Sequence, residues 1–334
     1  YYEYEMDQPQ AVTFSNGIQF IQDNCEEDRW FLQIETFDPH EPFFTQKVYK
    51  DLYPHEYDGP QFDWPNYGRV TETSEQAQHV RYEYAALVSM CDAYLGRILD
   101  MMDDLEMWDD TLLIVNTDHG FLLGEHDWWA KNRMPLFEEL IHTPLFIWDP
   151  RCKRQNERCD SLVQTIDLPA TLLEFFDVPI PDTMQGLPLR DAIATNAPIH
   201  DSILFGYHGA YVNVTDGRYV YMRAPVSEDN MPLFDYTMMP THMNTRFAID
   251  ELQNIELAEP FDFSQGCRMM KIPARKSDFG YEYGTLLFDL ENDPKQEHPM
   301  EDAAIEARMV ELMIDLMQQT DAPSEQYERL GLIN

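Results

Sequence analysis

The sequence predicts an α/β fold: a mostly parallel sheet flanked by helices, followed by a smaller α+β unit with antiparallel strands and a closing helix. Three observations predict it. β-Branched and apolar runs at residues 29–37, 111–117 and 143–148 read as strands. Helical patterns separate them, and that alternation is the mark of a parallel sheet covered by helices. Beyond Ala197 the pattern changes to short strands joined by tight turns. The expected division is therefore 1–196 for the α/β part and 197–334 for the smaller unit.

Taken in order, residues 13–24 carry Phe14, Ile18 and Ile21 at helical spacing. The strand at 29–37 runs into Asp38-Pro39-His40-Glu41-Pro42, where two prolines forbid a central strand from continuing. A polar stretch rich in Tyr, Pro and Asp follows to about residue 73. Residues 74–105 then give the strongest helix signal, with Val80, Leu87, Cys91, Leu95, Ile98 and Met102 on one face and Ser74 as the expected N-cap. The near-continuous apolar run at 111–117 is the pattern of a parallel strand buried on both faces, and it ends in Asp118-His119-Gly120, where Gly120 is expected to permit a tight turn. Residues 165–176 read as a further helix. In the second part, 202–205, 210–214 and 218–223 read as strands, the last two joined by Thr215-Asp216-Gly217; 224–284 shows little periodicity; 285–290 is a strand and 303–318 an amphipathic helix.

Charge excludes some functions. Asp and Glu number 61 against 23 Lys and Arg, a formal charge of −38, so nucleic acid is not an expected partner, because its binding rests on basic side chains neutralising phosphates. An anionic membrane surface is disfavoured for the same reason, and no run approaches the ~20 apolar residues that span a bilayer. The opening Tyr1-Tyr2-Glu3-Tyr4-Glu5 is polar and acidic rather than leader-like. A chain opening on Tyr reads as a processed product or an excised piece. Five cysteines, an odd number, argue against a complete disulfide framework, and Cys152 and Cys159 read as ordinary thiols. An anionic substrate would need a local cationic pocket to overcome this background.

In α/β sheets ligands bind beyond the carboxyl ends of strands, which is where His40 and the Asp118-His119 pair fall. A carboxylate and an imidazole at a strand end suit a divalent cation. The stretch Thr117-Asp118-His119-Gly120, then Gly124-Glu125-His126, then Trp129-Ala130-Lys131, then His142-Thr143-Pro144, resembles the sulfatase family of the alkaline-phosphatase-like superfamily. Phe37-Asp38-Pro39-His40-Glu41-Pro42 looks like the family's strand-end histidine loop. Residues 165–173, followed by Met184-Gln185-Gly186, and Phe288-Asp289-Leu290-Glu291-Asn292-Asp293-Pro294 match its later signatures in family order. The resemblance implies an alkaline-phosphatase-like fold, of which this chain holds a part, and hydrolysis of sulfate esters.

Carried over by position, the resemblance makes Asp118 and His119 metal ligands, Ca²⁺ in the family with Mg²⁺ as the alternative. Lys131 would reach a sulfate oxygen as a point charge, and His40 would bind the sulfate or protonate the leaving oxygen. The expected substrate is a sulfated small molecule or carbohydrate; His208 and Trp129 are weaker candidates for contact with it. Trp128 could line the same pocket. Asp38 is expected to brace His40, Glu125 and His126 to serve the loop, and Met231 to Met243 to fill packing space.

One departure is large. The family's nucleophile is formylglycine, made from the residue that opens Cys/Ser-x-Pro/Ala-Ser-Arg. No Ser-Arg dipeptide occurs in the chain. Neither Asp103-Asp104 nor Asp109-Asp110 suits the family's metal-binding pair. The expectation is a C-terminal fragment, inactive alone, with weak or absent metal binding, and with edges that favour self-association or pairing with the missing N-terminal segment. A phosphonate monoester or phosphodiester hydrolase of the same superfamily, and a non-catalytic sulfatase-like module, remain as alternatives.

Overall fold

The computed structural model describes residues 8–239, 241–242, 245–274 and 280–332. The chain forms two compact units, Tyr1–Arg133 with His142–Lys153, and Met134–Ile141 with Arg154–Asn334. The expected 196/197 division falls inside the second.

The first unit is organised around one helix. Helix α1 (Pro9–Asn24) precedes the histidine loop, and the short α2 (Lys47–Lys50) and strand β1 (Gly68–Arg69) lead to α3 (Ser74–Asp104). The cap of α3 is Thr73, one residue before the expected Ser74. The Thr73 hydroxyl accepts the Gln76 N–H while the Gln76 side chain accepts the Thr73 N–H, a reciprocal capping box. Val80, Leu87, Met90 and Tyr94 of α3 are buried with Phe43, Trp129 and Ala130, and further along Ile98 and Met102 pack with Ile21 of α1.

Strand β2 (Leu113–Asn116) pairs antiparallel with β5 (Leu145–Trp148), with Leu113 opposite Trp148. Between them β3 (Leu122–Leu123) and β4 (Trp128–Ala130) form a hairpin, and β1 adds to the far side of β4 in the order β1-β4-β3. The α/β class stands, but every ladder among the described residues is antiparallel. A continuous apolar run reports burial, not direction, so the parallel reading of 111–117 is corrected. Residues 29–37, expected as a strand, join no ladder among the described residues. Their alternation is real: Trp30, Leu32 and Ile34 pack on the Ile21–Ile98 cluster, whereas Phe31 is 58% exposed. The pattern fixes which faces are apolar; a strand also needs a hydrogen-bonded neighbour.

The second unit contains α4 (Glu138–Ile141), α5 (Asp167–Phe175) and α6 (Arg190–Thr195). Gly186 answers to close approach: a Cβ there would lie 1.9 Å from the Ile166 carbonyl oxygen. The following backbone is tied down as Leu187 N–H and Leu189 N–H donate to Asp167 Oδ1 (2.8 Å) and Thr171 Oγ1 (2.9 Å). Strands β6 (Ile203–Gly206), β7 (Val212–Thr215) and β8 (Tyr219–Arg223) form the expected antiparallel set. The irregular stretch holds β9 (Phe234–Thr237), β10 (Glu256–Leu257) and β11 (Met270–Pro273), a three-stranded sheet in the order β10-β11-β9. Of the methionine-rich segment, Met238 and Met239 are exposed rather than packed, and Met243 lies outside the described residues. Strand β12 (Leu286–Asp289) completes the order β12-β8-β7-β6, and α7 (Ala303–Gln319) lays Met309, Met313 and Met317 on it. Helix α8 (Ser324–Arg329) follows. Among the described residues no helix is long and apolar enough to cross a membrane.

Candidate active site

The site is built on turns of the first unit. Asp118 and His119 follow the end of β2. Asp118 Oδ1 accepts the His119 N–H (3.0 Å), which turns the chain sharply. Gly120, expected to permit the tight turn, does so without a left-handed conformation. That conformation occurs at Gly124 (φ 104°), where a Cβ would also lie 2.5 Å from the Arg81 guanidinium. Arg81 Nε–H donates to the Leu123 carbonyl (2.7 Å), so helix α3 holds the turn that sends the chain back through β4.

Register then decides which side chain returns. Leu122 pairs with Ala130, so Lys131 comes back alongside the turn that carries His119. Its Nζ lies 2.9 Å from His119 Nε2. His119 Nδ1 lies 2.9 Å from the Gly120 carbonyl oxygen. The carbonyl can only accept and the ammonium can only donate, so His119 is the neutral Nδ1–H tautomer with its Nε2 lone pair facing Lys131. Lys131 is 9% exposed, and no carboxylate pairs with it among the described residues. Asp118 faces outward, its side chain 83% exposed, with Oδ2 3.5 Å from His119 Nε2.

His40 stands on the neighbouring loop. Its Nδ1 lies 2.7 Å from the Glu41 carbonyl oxygen, and its ring meets Phe37 edge-on at 6.2 Å. Burial pushes Asp38 up to about 6, partly offset by His40. What joins this loop to the Asp118–Lys131 loops is a ring cluster. Phe43 meets Phe121 at 5.4 Å and Tyr84 at 5.2 Å, both edge-on, and Tyr67 meets Phe121 at 6.3 Å. The structure thus brings Asp118, His119 and Lys131 together and holds His40 to them through packed rings, with no direct contact among the described residues.

Two expected contacts are corrected or placed elsewhere. Trp129 is fully buried in the core and donates its Nε1–H to Glu72 (2.6 Å), so it offers no surface to a ligand. Trp128 is nearly as buried, with the Arg69 guanidinium 4.2 Å from its ring centre. His208 lies in the second unit, donating Nε2–H to the Phe234 carbonyl (3.0 Å) near Asp235. Sequence reasoning passed over Glu41 and Tyr67. Tyr67 O–H donates to Glu41 Oε1, and burial with that carboxylate pushes the Tyr67 phenol upward. A Glu directly after the loop histidine was the available signal.

The donor chemistry does not fit a hard dication by itself. Asp118 offers carboxylate oxygen, but the lone pair of His119 is already turned to an ammonium. Among the described residues no group of three or more His, Cys, Asp or Glu could hold a metal ion, whereas Ca²⁺ takes roughly six to eight oxygens.

Comparison with known proteins identifies the family. The sulfatase family matches residues 1–178, and the family described as N-sulphoglucosamine sulphohydrolase, C-terminal, matches residues 124–259. An arylsulfatase of Clostridium perfringens is 26% identical over 218 residues, covering 60% of this chain and 45% of its own length. A protein solved with its substrate D-glucosamine-2-N,6-O-disulfate superposes with a TM-score of 0.52 at 16% identity, over 75% of this chain and 42% of that one. The phosphonate monoester hydrolase of Silicibacter pomeroyi gives 0.63 at 17% identity, over 94% and 61%. The fold is alkaline-phosphatase-like. More narrowly, with over half its length matched, the chain belongs to the sulfatase family. It spans less than half the length of the Clostridium relative.

Proposed function

We propose that this chain carries the oxyanion-binding half of a sulfuric ester hydrolase, with the nucleophile supplied from outside these 334 residues. One observation carries the reading. In a chain of formal charge −38, a lysine that is nine-tenths buried has no carboxylate partner among the described residues and is instead held by a neutral imidazole. A buried ammonium left without a counter-charge is costly, and a tetrahedral oxyanion at that point would supply one.

In this reading Lys131 receives the charge that develops on a sulfate oxygen, and His119, as a neutral acceptor, aims it. His40 donates a proton to the departing oxygen through Nε2, because its Nδ1–H is occupied by the Glu41 carbonyl. Asp118 contributes to a cation site only with donors from the rest of the protein, and His119 only on releasing Lys131; no step is assigned to a metal here. The substrate class is a sulfated small molecule or carbohydrate. The division into a catalytic part at 1–196 and a smaller unit at 197–334 is kept as part of this proposal. Alone, the chain is inactive, and its remaining partner is the missing segment or a second copy.

The test is parallel turnover of an aryl sulfate and an aryl phosphonate by the full-length protein and its Lys131→Ala and His40→Asn forms. Sulfate is the preferred substrate, and loss of the general acid lowers kcat/KM on the order of 10²- to 10⁴-fold. Preferential turnover of the phosphonate would move the assignment to the phosphonate hydrolases of the same fold. No turnover of either would favour a non-catalytic module.

A further inference from the structure

The histidine loop contains a second carboxylate that the reading above does not use. Glu41 is almost wholly inside the protein, its side chain 2% exposed. Oε1 accepts the Tyr67 O–H. Oε2 is buried with no hydrogen-bond partner, and it lies 3.5 Å from Nδ1 of His40. The same nitrogen is 2.7 Å from the Glu41 carbonyl oxygen. One residue therefore brackets Nδ1 with both of its acceptors. Nδ1 must carry a hydrogen to satisfy the carbonyl, and Nε2 has no partner among the described residues and is left for a ligand.

We infer that Glu41 is the positioning residue of His40: its backbone oxygen fixes the tautomer, and its buried carboxylate stabilises the protonated ring, with Tyr67 anchoring the carboxylate. This rests on the proposed role of His40 only in its consequence for turnover; the effect on the imidazole itself stands apart from it. A buried carboxylate with an unpaired oxygen is expensive unless a positive charge forms beside it, and the nearest group able to acquire one is His40. The other groups that bear on the ring are Asp38 on the same loop, the Cys91 thiol of α3 beyond Asp38, and the Tyr67 phenol behind Glu41.

The experiment follows the ring nitrogens of His40 by NMR in the ¹⁵N-histidine-labelled chain against pH, with His40→Asn to assign the signal. Glu41→Gln keeps the size and the acceptor for Tyr67 and removes the charge. The His40 midpoint is expected about one pH unit lower, what unit charges at this separation give even at the dielectric of water. Glu41→Asp keeps a more distant charge and falls between the two; it also decides the matter should the Gln form not fold. Midpoints within about 0.2 of one another across the charged and uncharged forms would overturn the inference, since a purely structural role for Glu41 would alter stability and leave the titration in place. In the full-length enzyme the alkaline limb of the pH–rate profile, where the general acid loses its proton, moves in the same direction. If His40→Asn leaves turnover intact while Glu41→Gln still moves the midpoint, the role of His40 in catalysis fails and the Glu41 pairing survives.

Discussion

Phe43 decides whether the histidine loop and the Asp118–Lys131 loops keep their relative places. It is fully buried, three residues from His40, and makes edge-on contacts with Phe121 and Tyr84. Truncation to Ala removes a whole buried ring, which costs about 3–5 kcal/mol. That figure mixes lost burial with lost ring geometry, so the informative perturbation is a double-mutant cycle, Phe43→Leu with Phe121→Leu. Leucine retains most of the apolar volume, and the coupling that remains is the edge-on pair itself, about 0.5–1.5 kcal/mol. Urea unfolding of the four forms, followed by the fluorescence of Trp128 and Trp129 within the same unit, gives that coupling. A value below about 0.3 kcal/mol, within ordinary additivity, would show that the two loops are not held together by these rings, and the joint placement of His40 and Lys131 would lose its physical basis. With the cycle as expected, Phe43→Leu in the full-length enzyme lowers turnover without touching a chemical group.

Three further outcomes are open to measurement. Thr73→Ala breaks the capping box of α3 and costs about 1 kcal/mol in urea unfolding, whereas Ser74→Ala costs less because Ser74 is not the cap. Asp38 has a native pKa raised to about 6 from its ordinary 3.8; the stability it contributes is complete below the unfolded value and lost as pH rises through about 6. Asp38→Asn is therefore more stable than the unaltered chain at pH 7, with the difference gone near pH 4, as paired urea titrations will show. Calcium at about 1 mM leaves the melting temperature of the chain unchanged within about 1 °C, because two donors do not reach millimolar affinity; a rise of several degrees would reveal further oxygen ligands in this chain.

The sequence disclosed periodic and punctuated features well. The long α3, the Thr215-Asp216-Gly217 turn and the amphipathic α7 rest on local rules, spacing and turn chemistry, and the structure follows them. Strand direction was not legible at 111–117, because an apolar run is the same in a parallel or an antiparallel neighbourhood. The neighbour of residues 30–36 was not legible either, since alternation says which side is buried and nothing about who pairs with the backbone. At the site, motif order grouped Asp118, His119 and Lys131, and the structure has Lys131 Nζ 2.9 Å from His119 Nε2. It mistook Trp129 for a pocket wall, because burial of that indole depends on α3 and on Glu72, 25 to 57 positions earlier in sequence.

The loop from His40 to Phe43 shows why a reading by residue type alone stops short. Within four residues the chain presents a half-exposed imidazole, a buried carboxylate and a buried ring. The outer group faces the proposed reacting atoms, and the inner two decide how it is held. Phe43 contributes the apolar burial that keeps the loop closed, and Glu41 opposes it, since a buried oxygen without a partner subtracts from stability. A leucine or methionine at 41 would serve packing better. Retaining a carboxylate there makes physical sense only if its charge acts on something, and His40 is the group within 3.5 Å. The same logic applies to Lys131, whose burial without a counter-ion is unfavourable until an anion arrives. Both charges are unfavourable in isolation and become favourable in the presence of a transferring sulfate group: the imidazolium against Glu41, the ammonium against the oxyanion. Under the proposed function, a site built from two such uncompensated groups would bind the charge-separated state more tightly than the resting one, which is the physical requirement for catalysis.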